Sequence, residues 1–278
     1  MRLAKLSKTN AMIAAQPFLR WAGSKRKLLP KLGQFWDGSF ERYIEPFMGS
    51  ACLFFSLQPT DALLSDINEG LVSAFKVVRN QPDNLARCLK HMARGKRSYY
   101  RIRALDPGRL STLEGAARFI FLNRFCFNGL YRTNLKGNFN VPFGAAKSGC
   151  LPDLRTLREA SRLLQCAALR CSDFEEALQH AKSGDFVYLD PPFAVSNRRV
   201  FKEYGPRMFM ASDLGRLADL LERLDAKGVA FVVSYAYCAE ALRLFRAWPK
   251  QKVFVNRNIA GFGSFRRRAA ELLVTNIA

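Results

Sequence analysis

The chain has 278 residues, enough for one large domain or a domain with a substantial insert, and 49% of them are hydrophobic and 12% aromatic. A disordered basic tail lacks such apolar content, so the chain is a folded protein. Its 44 Lys and Arg against 23 Asp and Glu leave a net charge of +21, which makes a polyanion the expected partner, nucleic acid first and an anionic membrane surface second.

No run of eighteen apolar residues is present, which excludes a transmembrane helix. Seven cysteines without a C-x-x-C pair, and only His91 and His180 beside them, argue against a metal site and for reduced thiols in a cytoplasmic protein.

In chain order, residues 1–17 read as a flexible basic arm whose apolar patch, Ala11 to Ala15, is too short for a secretory signal. Tyr43-Ile44 is a strand-like run ending in the loop Glu45-Pro46-Phe47-Met48-Gly49-Ser50. Between Arg87 and Arg170 the composition changes, with 17 Lys and Arg against 4 Asp and Glu. Leu113 to Asn123 is expected to be helical there, followed by hairpin-like turns at Asn128-Gly129 and Lys136-Gly137. Phe186 to Leu189 is a second buried strand, delivering Asp190-Pro191-Pro192-Phe193. The leucines of Leu214 to Ala226 have helical spacing, Val229 to Tyr235 is a third strand, and Lys252 to Asn258 with Glu271 to Thr275 read as a hairpin with a basic tip. Strand, helix, strand is α/β grammar, interrupted by a basic insert.

Asp190-Pro191-Pro192-Phe193 carries the sharpest chemistry. Two prolines cannot continue a strand ladder and hold a stiff turn. Such a turn presents a carboxylate, a free carbonyl and an aromatic face to a planar ligand bearing an NH2 group, whose two donors match two fixed acceptors.

Phe18-Leu19-Arg20-Trp21-Ala22-Gly23-Ser24-Lys25, Glu45 to Ala51 and Leu64-Ser65-Asp66-Ile67-Asn68 precede Asp190 in that order, and Leu122-Asn123-Arg124 with Asn128 through Gly144 fall between. In these motifs the sequence resembles the Dam-type, D12-class DNA adenine-N6 methyltransferases of the α group, from about Phe18 to Val274. The resemblance implies a Rossmann-like class I methyltransferase fold, a mixed sheet with helices on both faces. It also implies a helical and hairpin target-recognition domain at 81–170, inserted into a catalytic domain formed by 18–80 and 171–278. It further implies site-specific methylation of a flipped adenine in double-stranded DNA, with S-adenosylmethionine as donor and S-adenosylhomocysteine as product, and without a metal. Such enzymes are cytoplasmic, of prokaryotic or phage type, and need no obligatory protein partner; some belong to restriction-modification systems.

Carried over residue by residue, Trp21 and Lys25 would line the cofactor pocket together with Glu45, Pro46, Phe47, Gly49 and Asp190. Lys25 would meet the methionine carboxylate. Asp66, 17 residues beyond Gly49, would accept the ribose hydroxyls. The sequence departs from the motif at Ala51, where the family carries a second glycine; an alanine there fits a negative φ. Asp190, Pro191, Pro192 and Phe193 would form the catalytic turn. In it Asp190 and the Pro191 carbonyl accept the amine hydrogens and Phe193 stacks on the base.

Contacts to DNA are expected from Arg124, Asn128, Arg132, Asn134, Lys136 and Asn138, with Phe127 or Tyr131 as a wedge, and from Arg266 and Arg267 on phosphates. The long connection from Ala194 to Met210 would order on DNA. Two other readings are an RNA adenine methyltransferase, since the catalytic turn reads an amine and not a sugar, and an inactive DNA-binding module. The motif order leaves the membrane reading without support.

Overall fold

The computed structural model describes residues 16–134, 137–145, 149–194, 209–256 and 268–277. The basic arm expected at 1–17, apart from its last two residues, lies outside them, as do Lys136, Arg266, Arg267 and most of the connection from Ala194 to Met210.

Seven strands form one sheet: β1 Arg42–Glu45, β2 Ala62–Asp66, β3 Ala167–Cys171, β4 Asp185–Leu189, β5 Ala230–Ala236, β6 Lys250–Asn256 and β7 Arg268–Thr275, in the order β3-β2-β1-β4-β5-β7-β6. The first five are parallel, and β7 runs antiparallel to both β5 and β6. The helices are α1 Leu29–Leu32, α2 Cys52–Leu57, α3 Glu69–Asn80, α4 Pro82–His91, α5 Lys96–Ala104, α6 Thr112–Phe125, α7 Leu154–Leu164, α8 Phe174–Leu178, α9 Ala211–Ala226 and α10 Ala239–Leu244.

Both faces of the sheet are covered, which is why β4 is buried at every position and reads as a continuous apolar run. Tyr43, Leu64, Phe186 and Tyr188 join a core with Phe54 of α2, Phe75 of α3 and Leu164 of α7. Their strand neighbours Ile44, Leu63, Val187 and Leu189 join a second core with α8, α9 and α10. The alternation along each strand assigns the side chains to opposite faces. The fold is thus the mixed α/β sheet with helices on both faces that the resemblance implies.

The segment from α5 to Val141 has a third, small core of Tyr99, Ile102, Phe121, Leu122, Phe125, Cys126 and Val141. α6 serves two cores, with Ala116, Ala117 and Ile120 in the main one and Phe121, Leu122 and Phe125 in the small one. Its start is fixed by a reciprocal cap in which Glu114 N–H donates to Ser111 Oγ at 3.3 Å and Ser111 N–H donates to Glu114 Oε2 at 2.9 Å.

The middle of the chain is joined closely to the sheet. Residue 170 falls inside β3, which pairs with β2 at the sheet edge, and α4 and α7 pack against α3 with Leu85, Leu89 and Leu157 in the main core. Residues between 81 and 170 therefore contribute to the main core as well as to the small one. Asn128-Gly129 is not a hairpin turn: the chain leaves α6 through a single 3-10 turn, Phe127–Gly129, with Asn128 at φ 55°. A hairpin-like pairing is found further on, where Thr133 bridges Phe139 and Asn134 N–H donates to Asn138 O at 2.9 Å. The C-terminal hairpin is present as β6 and β7.

Candidate active site

The strand order reverses between β1 and β4, because β2 and β3 extend the sheet one way from β1 and β5 extends it the other. At such a switch point the loops leaving the carboxyl ends diverge and open a crevice. The Glu45–Ala51 loop, the Asp66 turn and the Asp190-Pro191-Pro192-Phe193 turn all leave those ends. The sequence motifs converge here for that reason.

Asp190 is held by one oxygen. Lys25 Nζ lies 2.7 Å from its Oδ1, and Ser234 of β5 donates to the same atom at 3.0 Å. Ser234 is in turn 3.0 Å from the Tyr188 hydroxyl. Among the described residues neither Asp190 Oδ2 nor the Pro191 carbonyl has a hydrogen-bond partner, so two acceptors are left uncommitted in a stiff turn. Pro191 is buried and Pro192 half-buried. Phe193 is 40% exposed and meets the edge of Tyr235 at 5.5 Å, while the Ala194 N–H donates to the Tyr235 hydroxyl at 2.7 Å.

Lys25 is itself buried, donates to Gly23 O at 3.1 Å, and has Glu271 Oε2 at 3.8 Å. Burial opposes its charge, but Asp190 and Glu271 outweigh that and raise the ammonium above the ordinary lysine value. Lys25 thus faces the Asp190 carboxylate. Glu45, buried at the end of β1, accepts from the Tyr43 hydroxyl at 2.8 Å. Burial, with Asp190 and Asp66 adding to it, drives the Glu45 carboxyl well above the usual carboxylate range against the hydrogen bond from Tyr43.

The Glu45–Ala51 loop turns through left-handed backbone at Gly49, φ 46°, and at Ala51, φ 50°. A negative φ at Ala51 was expected, and the positive value is the correction. The turn from β1 into α2 demands the conformation a second glycine adopts freely, and in alanine it is strained by roughly 1–2 kcal/mol. Ala51 is fully buried in the main core, and its methyl packing offsets part of that strain. A Cβ at Gly49 would stand 2.7 Å from Trp21 Cδ1, so the glycine is what lets the Trp21 ring lie on the loop. Pro46 is buried, and Phe47 stacks on Phe174 of α8 at 5.4 Å.

Asp66 is tied to this loop. Gly49 N–H donates to its Oδ2 at 3.1 Å and Asn68 N–H to its Oδ1 at 3.0 Å. Burial pushes the Asp66 carboxyl up to about 6 against those hydrogen bonds. Asn68 then caps α3 through Leu71 N–H at 3.0 Å.

Trp21 is half-buried and stacks on Tyr131 at 5.9 Å and Phe119 at 6.4 Å. Tyr131, one of two expected wedges, thus packs in a ring cluster with Trp21 and Phe119, whereas Phe127 is 37% exposed. Arg124 Nε donates to Cys150 O, which holds the chain after α6. Arg132 Nε donates to Asn140 Oδ1 at 2.8 Å, and Asn134 Oδ1 accepts from Asn138 N–H at 3.0 Å. Asn128 sits in the 3-10 turn. Ser234, Tyr235 and Glu271 were not singled out by sequence. Their signal was a polar group inside an apolar strand, a serine in Val229 to Tyr235 and one acid among Ala269 to Val274.

The model of the D12 class N6 adenine-specific DNA methyltransferases matches residues 21–259. The chain is 34% identical to a type II methyltransferase of Lactococcus lactis subsp. cremoris, over 99% of both chains. It is also 34% identical to one of Methanocaldococcus jannaschii, over 94% of this chain and 99% of the relative. Similarity to the DNA adenine methylase of Escherichia coli is 30% over 92% of this chain and 93% of that enzyme. With its fold, its switch-point motifs and these likenesses in agreement, the chain belongs to the D12 class of N6 adenine-specific DNA methyltransferases.

Proposed function

We propose that this enzyme transfers the methyl group of S-adenosylmethionine to N6 of an adenine flipped out of double-stranded DNA, at a specific site in cytoplasmic DNA. The observation that carries the reading is the pair of open acceptors, Asp190 Oδ2 and the Pro191 carbonyl, in a turn whose other carboxylate oxygen is already bound.

The donor set fits the cofactor. Asp66 offers a carboxylate to hydroxyls at the end of β2, Trp21 offers a ring face, and Gly49 brings backbone close without a side chain. Bound there, S-adenosylmethionine supplies an electrophilic methyl group on a sulfonium. The residues named for it are Trp21, Lys25, Glu45, Pro46, Phe47, Gly49, Asp66 and Asp190. Lys25 acts on the cofactor's surroundings through Asp190.

The adenine amino nitrogen is a poor nucleophile because its lone pair is delocalised into the ring. Asp190 and the Pro191 carbonyl accept its two hydrogens and draw the nitrogen toward tetrahedral geometry, while Phe193, exposed beside them, stacks on the flipped base. A direct displacement follows, and the proton lost from the methylated amine leaves by way of Asp190. Pro192 keeps the turn rigid. Phe127, presented outward, fills the gap left by the base. Arg124, Asn128, Arg132, Asn134, Lys136 and Asn138 contact DNA around it, with Arg266 and Arg267 on phosphates.

The test is tritiated methyl incorporation into duplex DNA and into RNA by the wild type and by Asp190→Ala. DNA is expected to be labelled, RNA not, and Asp190→Ala is expected to bind cofactor without turnover. Labelled RNA would replace the substrate, and turnover by Asp190→Ala within a few fold of wild type would remove the mechanism.

A further inference from the structure

We propose that Glu271 is a positioning residue for methyl transfer: acting through Lys25, it keeps the ammonium on Oδ1 of Asp190 and so keeps Oδ2 open for the adenine amine. The inference rests on the role given to Asp190 above.

A lysine ammonium is a compact charge with three donors on a flexible four-carbon stem. Beside a lone carboxylate such a group is free to bridge both oxygens, and here the second oxygen is the one the substrate needs. Three groups fix where Lys25 goes. Its Nζ lies 2.7 Å from Asp190 Oδ1, 3.1 Å from Gly23 O and 3.8 Å from Glu271 Oε2. Ser234 occupies Oδ1 from the other side at 3.0 Å.

Glu271 is well placed to act as the fixed point. It stands on β7 opposite Ala236 of β5 and Val253 of β6, with a strand ladder on either side. Its exposure is 4% and that of Lys25 is 6%, so the attraction between them is little screened by solvent. The antiparallel strand β7 inserts between β5 and β6, and this insertion brings a second carboxylate within 3.8 Å of Lys25 Nζ. An acid in an otherwise apolar strand is expensive to bury unless a charge answers it. Glu45, another buried acid near by, accepts from the Tyr43 hydroxyl at 2.8 Å, and the ion pairs of Lys25 among the described residues are with Asp190 and Glu271.

Two consequences separate this role from a purely structural one. Neutralising Glu271 leaves the positive charge of Lys25 less balanced in a site that takes a cationic methyl donor. Binding of S-adenosylmethionine therefore weakens relative to the uncharged thioether S-adenosylhomocysteine. The transfer step also slows, because Lys25 occupies both oxygens of Asp190, and this loss requires Lys25 to be present.

The experiment uses the full chain with the variants Glu271→Gln, Lys25→Met and the double variant. Binding of S-adenosylmethionine and S-adenosylhomocysteine is followed by Trp fluorescence, and transfer to duplex DNA is followed in single turnovers. Glu271→Gln is expected to slow transfer about tenfold or more, to weaken S-adenosylmethionine several-fold, and to leave S-adenosylhomocysteine within about twofold. In the Lys25→Met background the same change is expected to have no further effect on transfer. An unchanged transfer rate in Glu271→Gln, or an equal slowing with and without Lys25, overturns the proposal. Where Glu271→Gln lacks a cooperative unfolding transition, Glu271→Asp carries the same cycle, since it keeps the charge and withdraws it by one methylene. A smaller slowing that vanishes with Lys25 supports the proposal, and one that persists overturns it. Turnover by Asp190→Ala removes the underlying mechanism, whereas an inert Asp190→Ala beside an unaffected Glu271→Gln removes this inference alone.

Discussion

The side-chain amide of Asn123 binds both backbone groups of Arg20, accepting from its N–H at 2.9 Å and donating to its carbonyl. One residue of α6 thus fixes the segment that places Trp21 on the Gly49 loop. Asn123 is 3% exposed, so truncation would leave two backbone groups in a dry setting. Asn123→Ala is expected to cost about 2 kcal/mol of stability, read as a lower urea midpoint at unchanged slope, and to weaken cofactor binding because Trp21 loses its anchor. Asn123→Asp, which keeps the acceptor and loses the donor, is expected to fall between.

Gly49→Ala tests the same wall from the other side. Its new Cβ would meet Trp21 Cδ1 at 2.7 Å, on a backbone at φ 46°. Either the ring swings off Tyr131 or the loop moves. Cofactor affinity is expected to fall at least about tenfold, roughly 1.4 kcal/mol, and the Trp emission to shift in the free protein. Unchanged affinity would show that Trp21 does not line the pocket.

What could be read in advance follows from how local each cause is. β4 was visible because a strand covered on both faces is apolar throughout, and its end was marked by two prolines. Asp66 was visible through its spacing from Gly49, and the hydrogen bond from Gly49 N–H to Asp66 joins the two. Ser234 and Glu271 were not, because their partners Asp190 and Lys25 are distant in sequence and meet only through strand order. The ring contacts of Tyr131 were out of reach for the same reason: an aromatic in a basic, Asn- and Gly-rich stretch does not announce that Trp21 and Phe119 stand beside it. The left-handed Ala51 reflects a turn imposed by β1 and α2, which overrides the residue's own preference.

The raised Asp66 carboxyl sets a pH dependence for cofactor binding. Above about 6 it is ionised and accepts from Gly49 N–H and from Asn68 N–H, and on the proposed function from ligand hydroxyls as well. As pH falls through about 6 it takes up a proton and loses acceptor capacity, so affinity is expected to fall, approaching tenfold per pH unit below that point. The check is the cofactor dissociation constant from pH 5 to 8. Asp66→Asn is expected to bind weakly across the range and to lack the inflection near 6.

Tyr235 anchors the far end of the catalytic turn. Its hydroxyl accepts from Ala194 N–H at 2.7 Å, and its ring meets the edges of Phe193 at 5.5 Å and Phe245 at 6.4 Å. Tyr235→Phe keeps both ring contacts and removes only the acceptor, freeing the residue after Phe193. The hydrogen bond is worth about 1 kcal/mol, which corresponds to a loss of roughly fivefold if it acts in the transfer step. On the proposed function the turn meets the base and Asp66 the cofactor, so the loss is expected in kcat with the cofactor dissociation constant unchanged. Tyr235→Leu removes the ring edge as well and is expected to lose several times more. An equal loss in both variants would mean that the hydroxyl alone positions Phe193, and a loss confined to cofactor affinity would mean that Tyr235 does not act through the turn.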